Sequence, residues 1–105
     1  NAKLDHHGKP IVPENMTHVF HLYAIQVKER MKVMECLKES NIGCAIHYPT
    51  PLPHLKSYAY KAHKGGEFPV AEKICDEILS LPMYAEMDEE SVNRVCEALN
   101  NNPAT

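Results

Sequence analysis

The amino-acid sequence predicts an α+β fold, a two-layer sandwich in which a small sheet packs against helices. Segments rich in β-branched and aromatic residues alternate along the chain with segments whose apolar residues repeat at helical spacing. In order they give β-α-β-α-β-α, with a proline-rich loop after the second strand. Short strands mixed with helices are typical of a two-layer α+β arrangement. A length of 105 residues suits one compact domain.

The first half of the chain contains two predicted strands on either side of a helix. Residues 1–17 are polar and irregular, and residues 17–27 then form a strand with apolar side chains on both faces. A strand of this kind is covered on both sides and belongs in the middle of a layered structure. Residues 29–41 change to helical spacing, and the helix ends near Gly43. A short second strand is predicted over residues 44–48.

The second half is predicted to hold two further helices and a brief third strand. Three prolines make residues 48–54 a stiff, extended loop, and a helical turn follows over residues 55–62. Pro69 suits the first position of the next helix, and residues 81–84 form the third strand. Asp88 is expected to cap the last helix. The helix from Pro69 carries the clearest apolar stripe, formed by Val70, Ala71, Ile74, Cys75, Ile78 and Leu79, and water faces Glu72, Lys73, Asp76 and Glu77.

Composition bounds the class of protein. The folded domain is expected at residues 18–99, between the irregular lead-in at 1–17 and a frayed tail at 100–105. A formal net charge of −3 argues against a nucleic-acid partner, which would require clustered Lys and Arg. No apolar run approaches the ~20 residues that cross a bilayer. The four cysteines have no paired spacing, so a reducing compartment is expected, and the localisation is predicted to be cytoplasmic.

The seven histidines do not have the spacing of a metal site. His18 and His21 are three residues apart, which on a strand places them on opposite faces. His6 and His7 lie in the irregular lead-in, without a nearby cluster of Cys, Asp or Glu at a recognised spacing. No metal ligand is therefore predicted.

Two kinds of catalytic or phosphate-binding motif are also disfavoured. Cys44 and His47 would face opposite ways on a strand, and Cys44 has no helix N-terminus to lower the pKa of its thiol. The pair Gly65-Gly66 lacks the Lys-Ser or Lys-Thr that completes a phosphate loop. A helix start explains the acidic run that begins at Asp88.

His47 and Tyr48 are the candidate binding residues. They end the second predicted strand at the mouth of the proline-rich loop. Polar groups on a rigid scaffold at the edge of a cleft tend to contact ligands. The alternative is structural, with His47 capping the strand end and Tyr48 packing beneath the prolines. The residues alone leave both interpretations open.

Three motifs, in this order and at this spacing, resemble a family of enzymes. They are residues 18–27 (His-Val-Phe-His-Leu-Tyr-Ala-Ile-Gln-Val), residues 41–52 (Asn-Ile-Gly-Cys-Ala-Ile-His-Tyr-Pro-Thr-Pro-Leu) and residues 68–84, which begin Phe-Pro-Val-Ala-Glu-Lys-Ile-Cys. Over about residues 18–99 the chain is similar to the C-terminal small domain of the DegT/DnrJ/StrS-type pyridoxal-phosphate-dependent sugar aminotransferases.

This resemblance implies the small domain of a fold-type I pyridoxal-phosphate enzyme. Members are homodimers that transfer an amino group, usually from glutamate, to a nucleotide-linked keto-sugar in polysaccharide or amino-sugar biosynthesis. In the family a large N-terminal domain carries the Schiff-base lysine, and the glycine-rich motif around that lysine is absent here. The chain is therefore expected to supply no catalytic and no cofactor-binding residue, to be inactive alone, and to have its own large domain as partner.

The resemblance also gives His47 and Tyr48 a role. In some members a His-Tyr pair after the second strand contacts the substrate, and these two residues match that pair. Their His-Tyr-Pro form is closest to enzymes that act on 3-keto sugars, among them 3-keto uronic acids. The chain departs from the family pattern at Pro53, which is extra, and at Lys56, which replaces the usual Gln. These departures leave the sugar specificity open.

Two alternatives belong to other classes of protein. One is a free-standing regulatory or ligand-binding α+β domain, which would have a self-contained core and a polar outer sheet face. The other is a protein-interaction module. A small domain that packs on a larger body would instead expose apolar area, on the outer sheet face or around His47. A lysine-bearing domain encoded upstream of Asn1 would also distinguish them.

Overall fold

Two strands, three α-helices and two short 3-10 helices make up residues 8–102, the part of the protein that its computed structural model describes. The strands are β1 (Tyr23–Gln26) and β2 (Ile78–Leu81). The α-helices are α1 (Arg30–Glu39), α2 (Pro69–Glu77) and α3 (Glu89–Asn100), and the 3-10 helices cover Leu52–His54 and Lys56–Lys61.

β1 and β2 pair as an antiparallel ribbon. Ile25 lies opposite Leu79, and Ala24 lies opposite Ser80. At the outer edge of β2, the Ser80 N–H donates to the Ala45 carbonyl at 2.8 Å and the Ala45 N–H donates to the Ser80 carbonyl at 3.1 Å. The backbone of Ser80 is therefore held between β1 on one side and Ala45 on the other.

A second bridge lies at the outer edge of β1. Gly8 and Gln26 exchange backbone hydrogen bonds of 3.1 and 3.4 Å. A Cβ atom at Gly8 would approach the Cβ of Gln26 to 3.0 Å, so this close contact favours glycine. The bridge falls within the predicted lead-in, of which residues 1–7 lie outside the described residues.

The core lies between one face of the ribbon and the helices α1 and α3. Ile25 and Leu79, which face each other across the strands, are almost completely buried. α1 contributes Val33 and Leu37, four residues apart on one helix face, and α3 contributes Leu99. The rest of the buried cluster consists of Val27, Ile42, Val95 and Cys96. The predicted two-layer α+β fold is thus confirmed.

The first strand is shorter than its sequence pattern predicts. Of residues 17–27 only Tyr23–Gln26 form a strand, and Val19, expected on a covered face, is 94% exposed. The strand it pairs with ends at Leu81, the partner of Tyr23, so β2 has no residue to pair with Leu22 or the residues before it. The expectation of a long strand covered on both faces is therefore wrong for the residues before Tyr23.

The second predicted strand is reduced to one bridge. Of residues 44–48 only Ala45 pairs, and its partner is Ser80. In this register His47 would face Ile78, but the N–H of Ile78 donates instead to the Ile74 carbonyl at the end of α2. Pairing at this edge of β2 is thus limited to Ser80.

The third strand begins earlier than predicted. The pattern placed it at residues 81–84 and assigned Leu79 to the stripe of the preceding helix. α2 instead ends at Glu77, and Ile78 already has extended backbone angles. Leu79 is 0% exposed in the strand, so pairing with β1 buries it in the core.

The proline-rich loop contains a helical turn instead of being extended throughout. The residues Leu52–His54 form a 3-10 turn in which the His54 N–H donates to the Pro51 carbonyl at 2.9 Å. Proline is tolerated in a first turn because the N–H that it lacks would have no partner there. The helical turn predicted over residues 55–62 is confirmed as the 3-10 helix Lys56–Lys61.

α1 matches its prediction except at its end. The left-handed residue after the helix is Asn41, with φ of 54°, and not Gly43. Asparagine tolerates this conformation better than other residues with a side chain, because its short amide can bond locally. The Ile42 N–H then donates to the Leu37 carbonyl at 2.8 Å and closes the turn.

α3 has the predicted cap. Oδ1 of Asp88 accepts a hydrogen bond from the Ser91 N–H at 2.8 Å. The helix ends at Asn100, and Asn102 is buried. Residues 103–105 of the predicted frayed tail lie outside the described residues.

α2 starts at Pro69 as predicted, but its apolar stripe is not covered. No residue of the helix is buried, and Val70 is 72% exposed. Ile74 is 38% exposed and lines a surface depression together with Leu22 and Ile78. We call Val70, Ile74 and Leu22 the open face of α2. Of the predicted stripe, Val70 and Ile74 thus keep apolar surface in contact with water, whereas Cys75 and Ile78 are half-buried.

The core predicts a strong effect of Leu99 on stability. Leu99→Ala should lower the free energy of unfolding by about 2–5 kcal/mol, because it leaves a cavity in a packed cluster. Val70→Ala on the open face removes apolar atoms that are already in water and should change the same quantity by less than ~0.5 kcal/mol. Urea unfolding of both variants measures the difference. Equal losses would contradict the placement of the core.

Candidate functional site

His47 and Tyr48 follow the bridge that ties Ala45 to β2. Nδ1 of His47 lies 3.0 Å from Oγ of Ser80, so the ring of His47 folds back onto the sheet. The rings of His47 and Tyr48 meet edge to face, with centroids 5.4 Å apart, and the peptide bond between these residues is cis. The candidate pair predicted from the sequence is thus one cluster anchored on a strand.

The two residues differ in exposure. His47 is half-buried, whereas Tyr48 is 70% exposed and does not pack beneath the prolines. A tyrosine ring carries an apolar face and a hydroxyl that can donate and accept. An exposed Tyr48 beside an anchored imidazole therefore offers polar atoms to a ligand.

The loop that follows is tied to the start of α2 by Glu72. Its Oε1 lies 2.9 Å from Nε2 of His54. The same carboxylate accepts hydrogen bonds from the N–H groups of Gly66, at 2.9 Å, and Phe68, at 3.3 Å. The sequence placed Glu72 on a water-facing helix side, and this expectation is wrong. Its position in the first turn of a helix was the available signal.

A second pair extends this anchor. Nδ1 of His63 lies 2.8 Å from Oε2 of Glu67, and the rings of His54 and His63 both contact Phe68 edge to face. The chain between the candidate pair and α2 is thus held by two imidazole–carboxylate contacts around one aromatic ring. No pattern in the sequence predicted these contacts, because His54 and Glu72 lie 18 residues apart and His63 and Glu67 lie in a segment that is not helical.

The hydrogen bonds have an electrostatic consequence. The bond from His54, followed by the backbone N–H of Gly66, lowers the pKa of the Glu72 carboxyl below its usual 4.5. His63 and the backbone N–H of Lys64 lower the pKa of Glu67 in the same way. Both carboxyls are therefore ionised wherever the loop has this arrangement and the pH is near neutral.

Nucleophile and metal chemistry find little support in the described residues. Burial raises the pKa of the Cys44 thiol, which is the opposite of what an activated nucleophile needs. Within residues 8–102 no three His, Cys, Asp or Glu side chains come together as metal ligands. None of the helices described is long and apolar enough to span a bilayer.

Fold and site define a class: a small α+β domain with a polar pair on a strand edge and an uncovered helix face. The sequence model of the DegT/DnrJ/EryC1/StrS aminotransferase family matches residues 2–100. The chain belongs to this family.

Curated relatives cover most of this chain but exceed it in length. One from Aneurinibacillus thermoaerophilus, dTDP-3-amino-3,6-dideoxy-α-D-galactopyranose transaminase, is 44% identical over 91 residues, which are 87% of this chain and 24% of that protein. A pleiotropic regulatory protein from Geobacillus stearothermophilus is 40% identical over 82 residues, or 78% of this chain and 22% of that protein. The chain thus spans about a quarter of the length of these relatives.

Solved structures agree with the fold. The crystal structure of S. venezuelae DesV in complex with a ketimine intermediate superposes with a TM-score of 0.85 at 28% identity. The match covers 93% of this chain and 26% of DesV.

The described residues do not fit pyridoxal phosphate by themselves. A lysine that forms a Schiff base is activated by removal from water. None of the lysines among residues 8–102 is buried. Among residues 8–102, therefore, no lysine has the surroundings that a Schiff-base lysine needs.

The Glu72 anchor predicts a pH-dependent loop. Because the folded pKa is lowered, the contribution of Glu72 is complete above its unfolded pKa near 4.5 and is lost as the pH falls through the lower folded value. In an NMR titration the amide signals of Gly66 and Phe68 should move together with a midpoint below 4.5. Glu72→Gln should abolish that transition. Glu67→Gln should leave the transition of the Gly66 amide signal unchanged. A midpoint above 4.5 would contradict the anchor.

Proposed function

We propose that this chain, with its folded domain at residues 18–99, is the small C-terminal domain of a cytoplasmic, homodimeric pyridoxal-phosphate-dependent sugar aminotransferase. The whole protein transfers an amino group from glutamate to a nucleotide-linked keto-sugar in polysaccharide or amino-sugar biosynthesis. The observation that carries the proposal is the 44% identity to a named 3-amino-sugar transaminase. The fragment alone is inactive, because the lysine and the phosphate-binding groups belong to a large N-terminal domain.

The open face of α2 supports a large-domain partner. Val70 is 72% exposed, Leu22 is 39% exposed and Ile74 is 38% exposed. Together they leave apolar surface on this side of the domain in contact with water. A free-standing domain would gain about 25 cal/mol for each Å² of this apolar surface that it removed from water. Packing of further polypeptide on the open face explains why the chain leaves it uncovered.

His47 and Tyr48 are the substrate-binding residues of this proposal. The Tyr48 hydroxyl reaches solvent from a ring braced by His47. A sugar offers hydroxyl and carbonyl oxygens, and both side chains can form hydrogen bonds with such groups. Their attachment to Ala45 and β2 limits how far they can move, so they orient the sugar and do not merely contact it. The 3-keto position is the proposed site of amination.

The name of the Geobacillus relative favours a second candidate function. A regulatory domain of this family would use the open face of α2 for another protein instead of its own large domain. Such a domain needs no amino transfer. Activity of the whole protein therefore separates the two candidates.

The experiment uses the whole protein that carries this chain. The visible absorbance of lysine-bound pyridoxal phosphate is recorded first, and amino transfer from glutamate is then assayed on dTDP- and UDP-linked 3-keto sugars. The 105-residue chain is the matched control and should neither absorb in the visible nor transfer an amino group. A whole protein that fails to bind the cofactor would overturn the proposal.

The role of Tyr48 can be measured in the same assay. Tyr48→Phe removes one hydroxyl from an exposed ring and should lower kcat/KM for the keto-sugar about tenfold, the effect of one lost hydrogen bond of ~1.4 kcal/mol. Cofactor absorbance should be unchanged. Tyr84→Phe removes the hydroxyl of another exposed tyrosine, to which the proposal gives no role, and it should retain the activity. Equal values for Tyr48→Phe and wild type would remove Tyr48 from the binding site.

A further inference from the structure

A buried hydroxyl lies behind the candidate binding pair. Ser80 is only 4% exposed, and its Oγ lies 3.0 Å from Nδ1 of His47. Among residues 8–102 this hydroxyl has no other hydrogen-bond partner. A buried hydroxyl left without a partner costs ~1–3 kcal/mol, so the contact is a strong constraint on both side chains.

The backbone of Ser80 cannot shift to break this contact. Its N–H and carbonyl are bonded to Ala45 at 2.8 and 3.1 Å, and Ala24 of β1 lies opposite it. Pairing on both sides makes Ser80 the central residue of the sheet. The position of Oγ is therefore set by the fold and not by the loop that follows His47.

We propose that Ser80 is a positioning residue, whose hydroxyl donates a hydrogen bond to Nδ1 of His47 and so fixes the ring as the tautomer with its proton on Nε2. The use of that Nε2–H toward a substrate rests on the proposed function. The tautomer itself does not, because it follows from the contact between the two side chains.

The direction of the hydrogen bond follows from which arrangement leaves a buried donor unpaired. If Nδ1 carried the proton, Ser80 Oγ would accept it, and the hydroxyl proton of Ser80 would be a buried donor without an acceptor. If the hydroxyl donates to a bare Nδ1, both groups are satisfied by one bond. The neutral ring then carries its proton on Nε2. The second arrangement leaves no buried donor unpaired and is the stable one.

The consequence is a donor of fixed direction beside Tyr48. Nε2 of His47 has no partner among the described residues, so its N–H remains for a ligand. A donor selects an acceptor oxygen, such as a carbonyl or a deprotonated carboxyl oxygen of a sugar. Ser80 thus acts on the ligand only through His47.

The tautomer is tested by ¹⁵N NMR of the whole protein labelled at histidine, with His47→Gln to assign the ring signals. Wild type should show a protonated Nε2 and a bare Nδ1 for the neutral ring. Ser80→Ala should convert this signal to a mixture of tautomers, and Ser80→Thr, which keeps the hydroxyl, should restore it. Wild type with the proton on Nδ1, or Ser80→Ala with an unchanged spectrum, overturns the proposal. This result does not depend on aminotransferase activity.

The link to substrate is tested by a double-mutant cycle. Ser80→Ala should lower kcat/KM about tenfold and leave cofactor absorbance unchanged. In a protein that already carries His47→Gln, the same change should have no further effect, because Ser80 acts through His47. If the two substitutions lowered kcat/KM independently, so that their fold-changes multiplied, that role would be contradicted. If Ser80→Ala shifts the tautomer but the wild-type protein transfers no amino group, the positioning role of Ser80 stands. Only the proposed function is then rejected.

Discussion

The structure depends on the pairing of β2 with β1, which places Leu79 against Ile25 in the core. This pair joins two segments more than 50 residues apart and lets α1 and α3 pack on one face of the sheet. It also holds Ser80 in register, one residue along from Leu79, with its side chain on the opposite side of the strand. Two neighbouring pairs of the ladder, Ile25 with Leu79 and Ala24 with Ser80, thus give a filled core and a hydroxyl presented to His47.

The candidate site is built outward from Ser80 in order of decreasing burial. Ser80 is buried, His47 is half-buried and Tyr48 is exposed. A backbone bridge to Ala45 holds Ser80, and a side-chain hydrogen bond with Ser80 orients His47. A ring contact with His47 then orients Tyr48. Polar residues at the surface acquire a defined geometry in this way without being placed in the core.

The spacing of apolar residues predicted those features of the fold that depend on residues close together in sequence. The helical spacing of Val33 and Leu37 and the cap at Asp88 are local signals, and the fold class followed from their order. Strand limits depended instead on partners: residues 17–22 have strand-forming side chains, but β2 ends at Leu81, the partner of Tyr23. The contacts of Ser80 with His47 and of Glu72 with His54 join distant segments, and no sequence spacing encodes them.

The bridges at Gly8 and Ala45 have a consequence for solubility. Each strand has only four residues, and each outer edge already has one of its backbone positions bonded within the chain. A long row of unpaired N–H and C=O groups is what recruits strands from other molecules and starts aggregation. Here the glycine that fits against Gln26 and the alanine beside Ser80 occupy those edges, so the sheet is a poor template for growth by intermolecular pairing.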